Sequence, residues 1–366
     1  MKIGIIGTRG IPNHYGGFEQ FAEYLSLGLV KRGHEVTVYN SYDHPYKQSS
    51  WNGVKIIHCY DPEDKIGTAG QFIYDFNCIL DSRKRNFDII LQLGYTSSSI
   101  WGWLLPRKNT VVTTNVDGLE WKRTKFSTKV KQFLKYAEKL GIKYSDHLIS
   151  DSVGIQDYLK TTYQKDSLYI PYGADLFTRP NQSFLSDYGV EVGQYSMLIA
   201  RLEPENSIEM ILDGVIQAAK DEPFLVIGKH ETKFGSYLKG KFKNQSNINF
   251  VGGIYDINVL NNLRHFSKLY FHGHTVGGTN PSLLEAMASQ ALVAANKNIF
   301  NQSILEEDAF YFENVHDVAT LLNNIDKTQY QTFLASNNYK INKTFSWEHI
   351  VNQYETHFKE IFIHKK

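Results

Sequence analysis

The chain has 366 residues, enough for two cores of ordinary domain size, and its 42% hydrophobic and 21% charged content is that of a globular protein. A formal net charge of +1 supplies no global field to recruit nucleic acid, so no nucleic-acid partner is expected. Two cysteines are no disulfide framework, no apolar run reaches 18 residues, and the start lacks the long apolar core of a signal peptide, which together predict a cytoplasmic protein.

Lys2–Ile6 is apolar and β-favouring, and it leads into Gly7, Gly10 and the pair Gly16–Gly17. Phe18, Phe21, Ala22, Leu25 and Leu29 then recur at helical spacing, Gly33 closes the helix, and Glu35–Tyr39 reads as a strand. Such a β–loop–α–β unit favours a parallel sheet. Further strands are predicted at Val54–His58, Asp88–Leu93, Thr110–Thr114, His147–Ser150 and Ser167–Ile170. Helices are predicted near Gly70–Ser82, Lys125–Tyr144 and Ser152–Thr161, and Pro171-Tyr172-Gly173 reads as a turn.

The theme restarts with strands at Tyr195–Ala200, Phe224–Gly228, Ile248–Val251, Leu269–His272 and Leu292–Ala295. Helices are predicted between them at Ser207–Lys220, Val259–Phe266 and Pro281–Ser289. The expectation is an α/β chain of two doubly wound Rossmann-like domains facing across a cleft. Residues 1–178 form the first, 190–345 the second, and 346–366 a closing segment. Ligands in such sheets sit beyond the carboxyl ends of the strands.

The strongest local signal is His272–Ser289. A strand ends at His272, a loop carries Gly273, Gly277 and Gly278, Asn280 suits an N-cap, and Pro281 suits the first helical position. A helix N-terminus presents N–H groups and partial positive charge to an anion, and glycines let that backbone approach closely. Glu285, on the first turns, can accept hydrogen bonds from ribose hydroxyls. An ordinary capped helix with a solvated Glu285 is the bland alternative.

Glu285-Ala286-Met287-Ala288 resembles the second half of the donor-binding signature of the retaining family-4 glycosyltransferases, which have the GT-B fold. Their first signature Glu, which contacts the transferred sugar, is replaced here by Gly277, so main-chain groups of Gly278, Thr279 and Asn280 are the expected substitutes. Ser282 and Leu283 fall in the same donor segment. Arg201-Leu202-Glu203-Pro204-Glu205-Asn206 resembles the family's Arg-Leu-x-x-Glu-Lys, whose two cations neutralise the donor diphosphate. Asn206 stands in the Lys position, and Lys229 or Arg9 is the expected replacement. For Arg201 taken alone, a surface or helix-capping ion pair is the alternative.

Gly16-Gly17-Phe18-Glu19 resembles the family's glycine pair over the diphosphate and acceptor. Lys229, His230 and Tyr255 fall on the expected base side. Phe345-Ser346-Trp347-Glu348 resembles the start of the helix that returns to the first domain. The resemblance makes residues 1–178 the acceptor domain and 190–345 the donor domain. The combination of Asp117-Gly118-Leu119-Glu120-Trp121-Lys122-Arg123, Asn206 and Val276–Pro281 resembles a bacterial subgroup, often β-rhamnosyltransferases of polysaccharide assembly that use dTDP-rhamnose. Asp117 and Glu120, with Glu19, are the candidate acceptor contacts; capping or salt-bridging is the alternative for the first two.

Residues 120–143 hold eight Lys or Arg against Glu120 and Glu138. Lys131, Lys135 and Lys139 form a stripe, with Phe133, Leu134, Ala137 and Leu140 expected to turn elsewhere. Such a helix suits anionic lipid and a lipid-linked acceptor, or it is a solvated face. His272-x-His274 has no carboxylate or Cys cluster beside it in sequence, so neither a metal nor another cofactor is expected. The implied reaction moves a sugar from a nucleoside diphosphate to a hydroxyl of a glycan or lipid-linked glycan with retention. Arg201, Asp117 and Glu285 are the expected catalytic residues. An NAD-dependent oxidoreductase, a sugar-nucleotide 2-epimerase and a non-catalytic nucleotide-sugar-binding module are the rivals.

Overall fold

The structure is a computed structural model that describes residues 1–116, 118–124 and 126–363. It divides into two compact units. The first holds Met1–Trp121, Ser127–Tyr172 and the chain from Trp347; the second holds Gly173–Ser346 together with the short segment Lys122–Phe126. Each is an α/β unit built on a largely parallel sheet, as the alternation of elements predicts.

In the first unit the strands are β1 (Lys2–Ile6), β2 (Glu35–Ser41), β3 (Ser50–Trp51), β4 (Val54–Cys59), β5 (Ile89–Leu93), β6 (Val111–Val116), β7 (His147–Ser150) and β8 (Leu168–Tyr169). Their order is β3-β4-β2-β1-β5-β6-β7-β8, and only the β3–β4 hairpin is antiparallel. The central strands are buried along their length because helices cover both faces, so β5 reads as a nearly unbroken apolar run. Helix Gly17–Lys31 buries Phe21, Ala22, Leu25 and Leu29, the stripe visible in the sequence. Helix Trp347–Ile363 lies against it. Gly28 permits the approach, since a Cβ there would meet the Val351 methyls at 2.7 Å, and Trp347 stacks on Tyr24 at 4.4 Å.

The second unit holds β9 (Ser196–Ile199), β10 (Phe224–Ile227), β11 (Ile248–Gly252), β12 (Tyr270–His272), β13 (Val293–Asn296) and β14 (Phe310–Phe312). The order is β11-β10-β9-β12-β13-β14, parallel throughout. The winding reverses between β9 and β12. In doubly wound sheets that reversal opens a crevice at the carboxyl edge, and the loops after β9 and β12 flank it.

Several local expectations need correction. The helix expected from Lys125 runs Thr128–Tyr144, because the Ser127 side chain accepts from Val130 N and sets the start there. Phe133, expected to turn elsewhere than the lysine stripe, is 36% exposed, with its ring 5.7 Å from Phe72. Helices Lys233–Lys241, Ile299–Leu305, Val315–Asn324 and Gln331–Lys343, and strand β14, are additions to the pattern read from sequence. Lys233–Lys241 buries only Gly235 and Leu238, too thin a stripe to read. Val315–Asn324 does carry a signal, with Asn314 capping Asp317 N ahead of Val318, Ala319 and Leu322.

Candidate functional site

The loop after β9 carries Arg201, whose side chain is exposed. Asn206 Nδ2 donates to the Arg201 carbonyl at 2.7 Å and closes the turn through Pro204–Asn206. Glu205 is buried: its Oε2 accepts from Thr124 Oγ1 at 3.1 Å, and Arg123 Nη1 lies 3.6 Å from its Oε1.

The loop after β12 is joined to this turn backbone to backbone. A Cβ at Gly273 would lie 2.1 Å from the Asn206 carbonyl oxygen, so only glycine fits. Thr275 N and Oγ1 both donate to the Glu205 carbonyl, at 3.1 and 2.7 Å. Farther along, Gly277 has φ +129°, and a Cβ on it would meet no atom within 4 Å. Backbone conformation rather than space requires glycine there.

Thr279 is buried, and Asn280 caps the helix Pro281–Ala288 by accepting from Ser282 N at 3.0 Å. Leu283 N bonds the Asn280 carbonyl at 3.0 Å, and Pro281 has no N–H. The first helical turn therefore spends its amides internally, which corrects the expectation of free helix N–H groups.

Glu285 Oε2 lies 2.6 Å from Arg264 Nη2, and the Arg264 side chain is only 1% exposed. Arg264 Nη1 donates to Asn261 Oδ1 at 3.0 Å, and Nη2 reaches Ser282 Oγ at 3.3 Å. Ser282 Oγ also meets Tyr270 OH at 2.7 Å, and Leu283 is fully buried. The side chains of Ser282 and Leu283 thus brace the helix rather than project from it. Arg264, which holds Glu285 in place, is a residue that sequence reasoning misses, since nothing distinguishes it there from a surface arginine near a helix end.

The His272 and His274 rings stack at 4.3 Å, and neither His272 nitrogen has a hydrogen-bond partner. Burial, then the neighbouring His274 and Arg264, hold His272 well below the usual range. Burial, then the charges of Arg201 and Arg123, lower His274 to about 3. Both rings are neutral at pH 7, so the positive charge here belongs to the arginines. Among the described residues, no group of three or more His, Cys, Asp or Glu is placed to hold a metal ion.

On the side of β10 and β11, Lys229 Nζ is 5.6 Å from the Tyr255 ring, and Tyr255 is 72% exposed. His230 Nε2 lies 3.5 Å from Glu231 Oε1.

In the first unit, Gly16 precedes the helix that Gly17 begins. Glu19 turns inward, accepting from Arg9 N at 2.8 Å and Thr8 Oγ1 at 3.2 Å, so it fixes the loop after β1. Arg9 makes a two-pronged contact to Glu63 at 2.9 and 3.0 Å and lies 3.9 Å over the Tyr15 ring. Its guanidinium is engaged within its own unit. Asp117 lies outside the described residues, and Glu120 opens a short 3-10 turn, Glu120–Lys122. Glu138 is a buried hub: it accepts from Tyr95 OH, Trp121 Nε1, Tyr158 OH and Tyr163 OH.

A family described as a domain of unknown function (DUF1972) matches residues 1–175. No curated protein matches the sequence. Among solved structures, sucrose-phosphate synthase from Thermosynechococcus elongatus superposes with a TM-score of 0.78 at 17% identity, covering 99% of each chain. HepE from Anabaena, in complex with UDP and glucose, gives 0.79 at 17% identity, covering 98% of this chain and 100% of its own. A glycosyltransferase from Rickettsia africae gives 0.69 at 14%, covering 98% of each. The fold is GT-B. At such identities the fold is what is shared. Among the described residues, no helix is long and apolar enough to cross a membrane.

Proposed function

We propose that this GT-B chain is a glycosyltransferase that takes a sugar from a nucleoside diphosphate and places it, with retention, on a hydroxyl of a glycan or lipid-linked glycan. The observation that carries the reading is one crevice edge on the second unit. There the exposed Arg201 and the Gly277–Asn280 loop are stitched together through Glu205 and Asn206. An arginine aimed at a departing diphosphate stabilises charge that grows in the transition state. Glu285, held by Arg264, is assigned to the ribose hydroxyls. The departing phosphate takes the acceptor proton on the same face, so no protein nucleophile is assigned, and Asp117 and Glu120 orient the acceptor.

The HepE structures contain UDP and UDP-glucose, which favours a nucleotide-sugar donor on this fold. The resemblance at Asp117–Arg123 and Val276–Pro281 puts dTDP-rhamnose first among donors, ahead of UDP-sugars. Helix Thr128–Tyr144 exposes Val130, Phe133 and Tyr136 beside Lys135 and Lys139. That mixture of basic and apolar groups fits an anionic bilayer, where a lipid-linked acceptor would reside.

The test incubates the full chain with dTDP-rhamnose and a panel of UDP-sugars, with and without lipid-linked saccharide, and reads the anomeric configuration of the product by NMR. Transfer with retained configuration is expected. Epimerised donor without acceptor would make the chain an epimerase, and tight donor binding without turnover on any acceptor would make it a binding module.

A further inference from the structure

The turn at Arg201–Asn206 has Asn where the donor-binding pattern has a second cation, and Asn206 Nδ2 is spent on the Arg201 carbonyl. The replacements expected from the sequence have contacts of their own. Arg9 is clamped by Glu63, and Lys229 sits over Tyr255 on the side of β10 and β11.

A different cation reaches the turn. Lys122–Phe126 follows the first unit's β6 in sequence yet is part of the second unit. Thr124 Oγ1 donates to Glu205 Oε2 at 3.1 Å, and Arg123 Nη1 lies 3.6 Å from Glu205 Oε1. Glu205 is the residue immediately before the missing Lys position, and its carbonyl anchors Thr275 of the glycine loop. The charges of Arg201 and Arg123 both act on His274, each disfavouring its protonation after burial does so. The Arg123 side chain is 18% exposed and the Glu205 side chain 1%, so the carboxylate lies beneath the guanidinium.

We infer that Arg123 is the second diphosphate-binding cation of this chain, held at the turn by Glu205 and Thr124 in place of a lysine at position 206. This rests on the donor-site reading above. An arginine fork can bridge a carboxylate and a phosphate at once, which a lysine point charge does less well. Glu205 is therefore a positioning residue: it places Arg123 and does not itself meet the ligand.

Calorimetric titration of the full chain with dTDP and with UDP, each against its nucleoside, tests the inference. The wild type should prefer the diphosphate strongly. Arg123→Gln should lose roughly tenfold to a hundredfold of diphosphate affinity, with nucleoside binding unchanged and a shallower salt dependence. Arg123→Lys should recover part of it, a rescue that a purely packing role would not give. If Arg201→Gln loses affinity while Arg123→Gln binds as wild type, the inference fails and the donor-site reading stands. If the wild type binds neither diphosphate, the donor-site reading fails and the inference falls with it. Thermal unfolding of each variant separates a folding defect from lost binding, and a folded Arg123→Lys with no recovery also counts against the assignment.

Discussion

Glu285 and Arg264 form an ion pair at 2.6 Å in which the Arg264 side chain is almost wholly buried while the Glu285 side chain is 19% exposed. The pair links helix Pro281–Ala288 to the neighbouring helix Ile257–Phe266, and Glu285 is its more exposed partner. Removing Glu285 leaves the buried guanidinium without its carboxylate, so Glu285→Ala should destabilise the chain by about 3–5 kcal/mol as well as reduce transfer. Urea unfolding measures the first effect. Glu285→Gln, which keeps shape and a hydrogen-bonding oxygen, should cost less stability yet still lose activity; full activity in Glu285→Gln would remove the carboxylate from the donor site.

Arg201 differs because it is exposed. Arg201→Ala should change unfolding free energy by no more than about 0.5 kcal/mol. Transfer should fall roughly a hundredfold or more, as for loss of a transition-state charge contact. Kinetics beside a melting curve checks both halves, and near-normal turnover in a folded variant would sink the assignment.

Gly273 and Gly277 should respond unequally to alanine. At Gly273 the new Cβ would sit 2.1 Å from the Asn206 carbonyl, so the two loops must part. Gly273→Ala should lower stability and abolish donor binding together. At Gly277 there is space, and the cost is only that of a positive φ, on the order of 1–3 kcal/mol. Gly277→Ala should fold and bind nucleotide, with its defect confined to the transferred sugar. Nucleotide titration against donor titration separates the two.

The His272–His274 stack sets a pH dependence. His274 has its folded pKa lowered to about 3, chiefly by burial, below the ordinary value of 6.5. Between those values the unfolded chain binds more protons, so stability contributed by neutral His274 is present above pH 6.5 and is lost as pH falls toward 3. Asp75, raised by burial to about 7, works in the opposite sense. The clean readout is therefore a difference: His274→Asn should flatten the stability-versus-pH curve between about pH 6.5 and 4 by up to about 1.4 kcal/mol per pH unit. An unchanged slope in chemical denaturation would contradict it.

A charge-and-contact test addresses the lipid reading. Lys135→Glu with Lys139→Glu should reduce co-sedimentation with phosphatidylserine vesicles by roughly tenfold or more, at about 1 kcal/mol per basic residue removed. Phe133→Ser should reduce it with little salt dependence. Equal sedimentation of all variants would leave the helix as a solvated face.

Much of this architecture is legible because parallel strands covered on both faces are apolar runs, as at Ile89–Leu93, and because Gly and Asn mark the strand-to-helix turns, as at Gly273–Asn280. The loop–helix after β12 and the exposed Arg201 can be placed from pattern alone. Arg264, Glu138 and Arg123 cannot. Their significance comes from contacts 21 residues away for Arg264–Glu285, 43 for Tyr95–Glu138 and 82 in sequence for Arg123–Glu205, and no periodicity encodes such pairings. The helix amides escape sequence reasoning for a related reason: the pattern marks Asn280 as a cap, but a cap also consumes the donors it satisfies.

The close approach of Gly273 to Asn206, with Thr275 bound to Glu205, makes the loops after β9 and β12 a single mechanical piece. A phosphate pulling on Arg201 would tug the Gly277 segment with it. In the proposed donor site these contacts, formed on folding, would present a ligand with a gauge of nearly fixed width, and little affinity would be lost to ordering it. Selectivity along that direction would then come from the length of the anion, which sorts diphosphates from monophosphates before any base or sugar is touched.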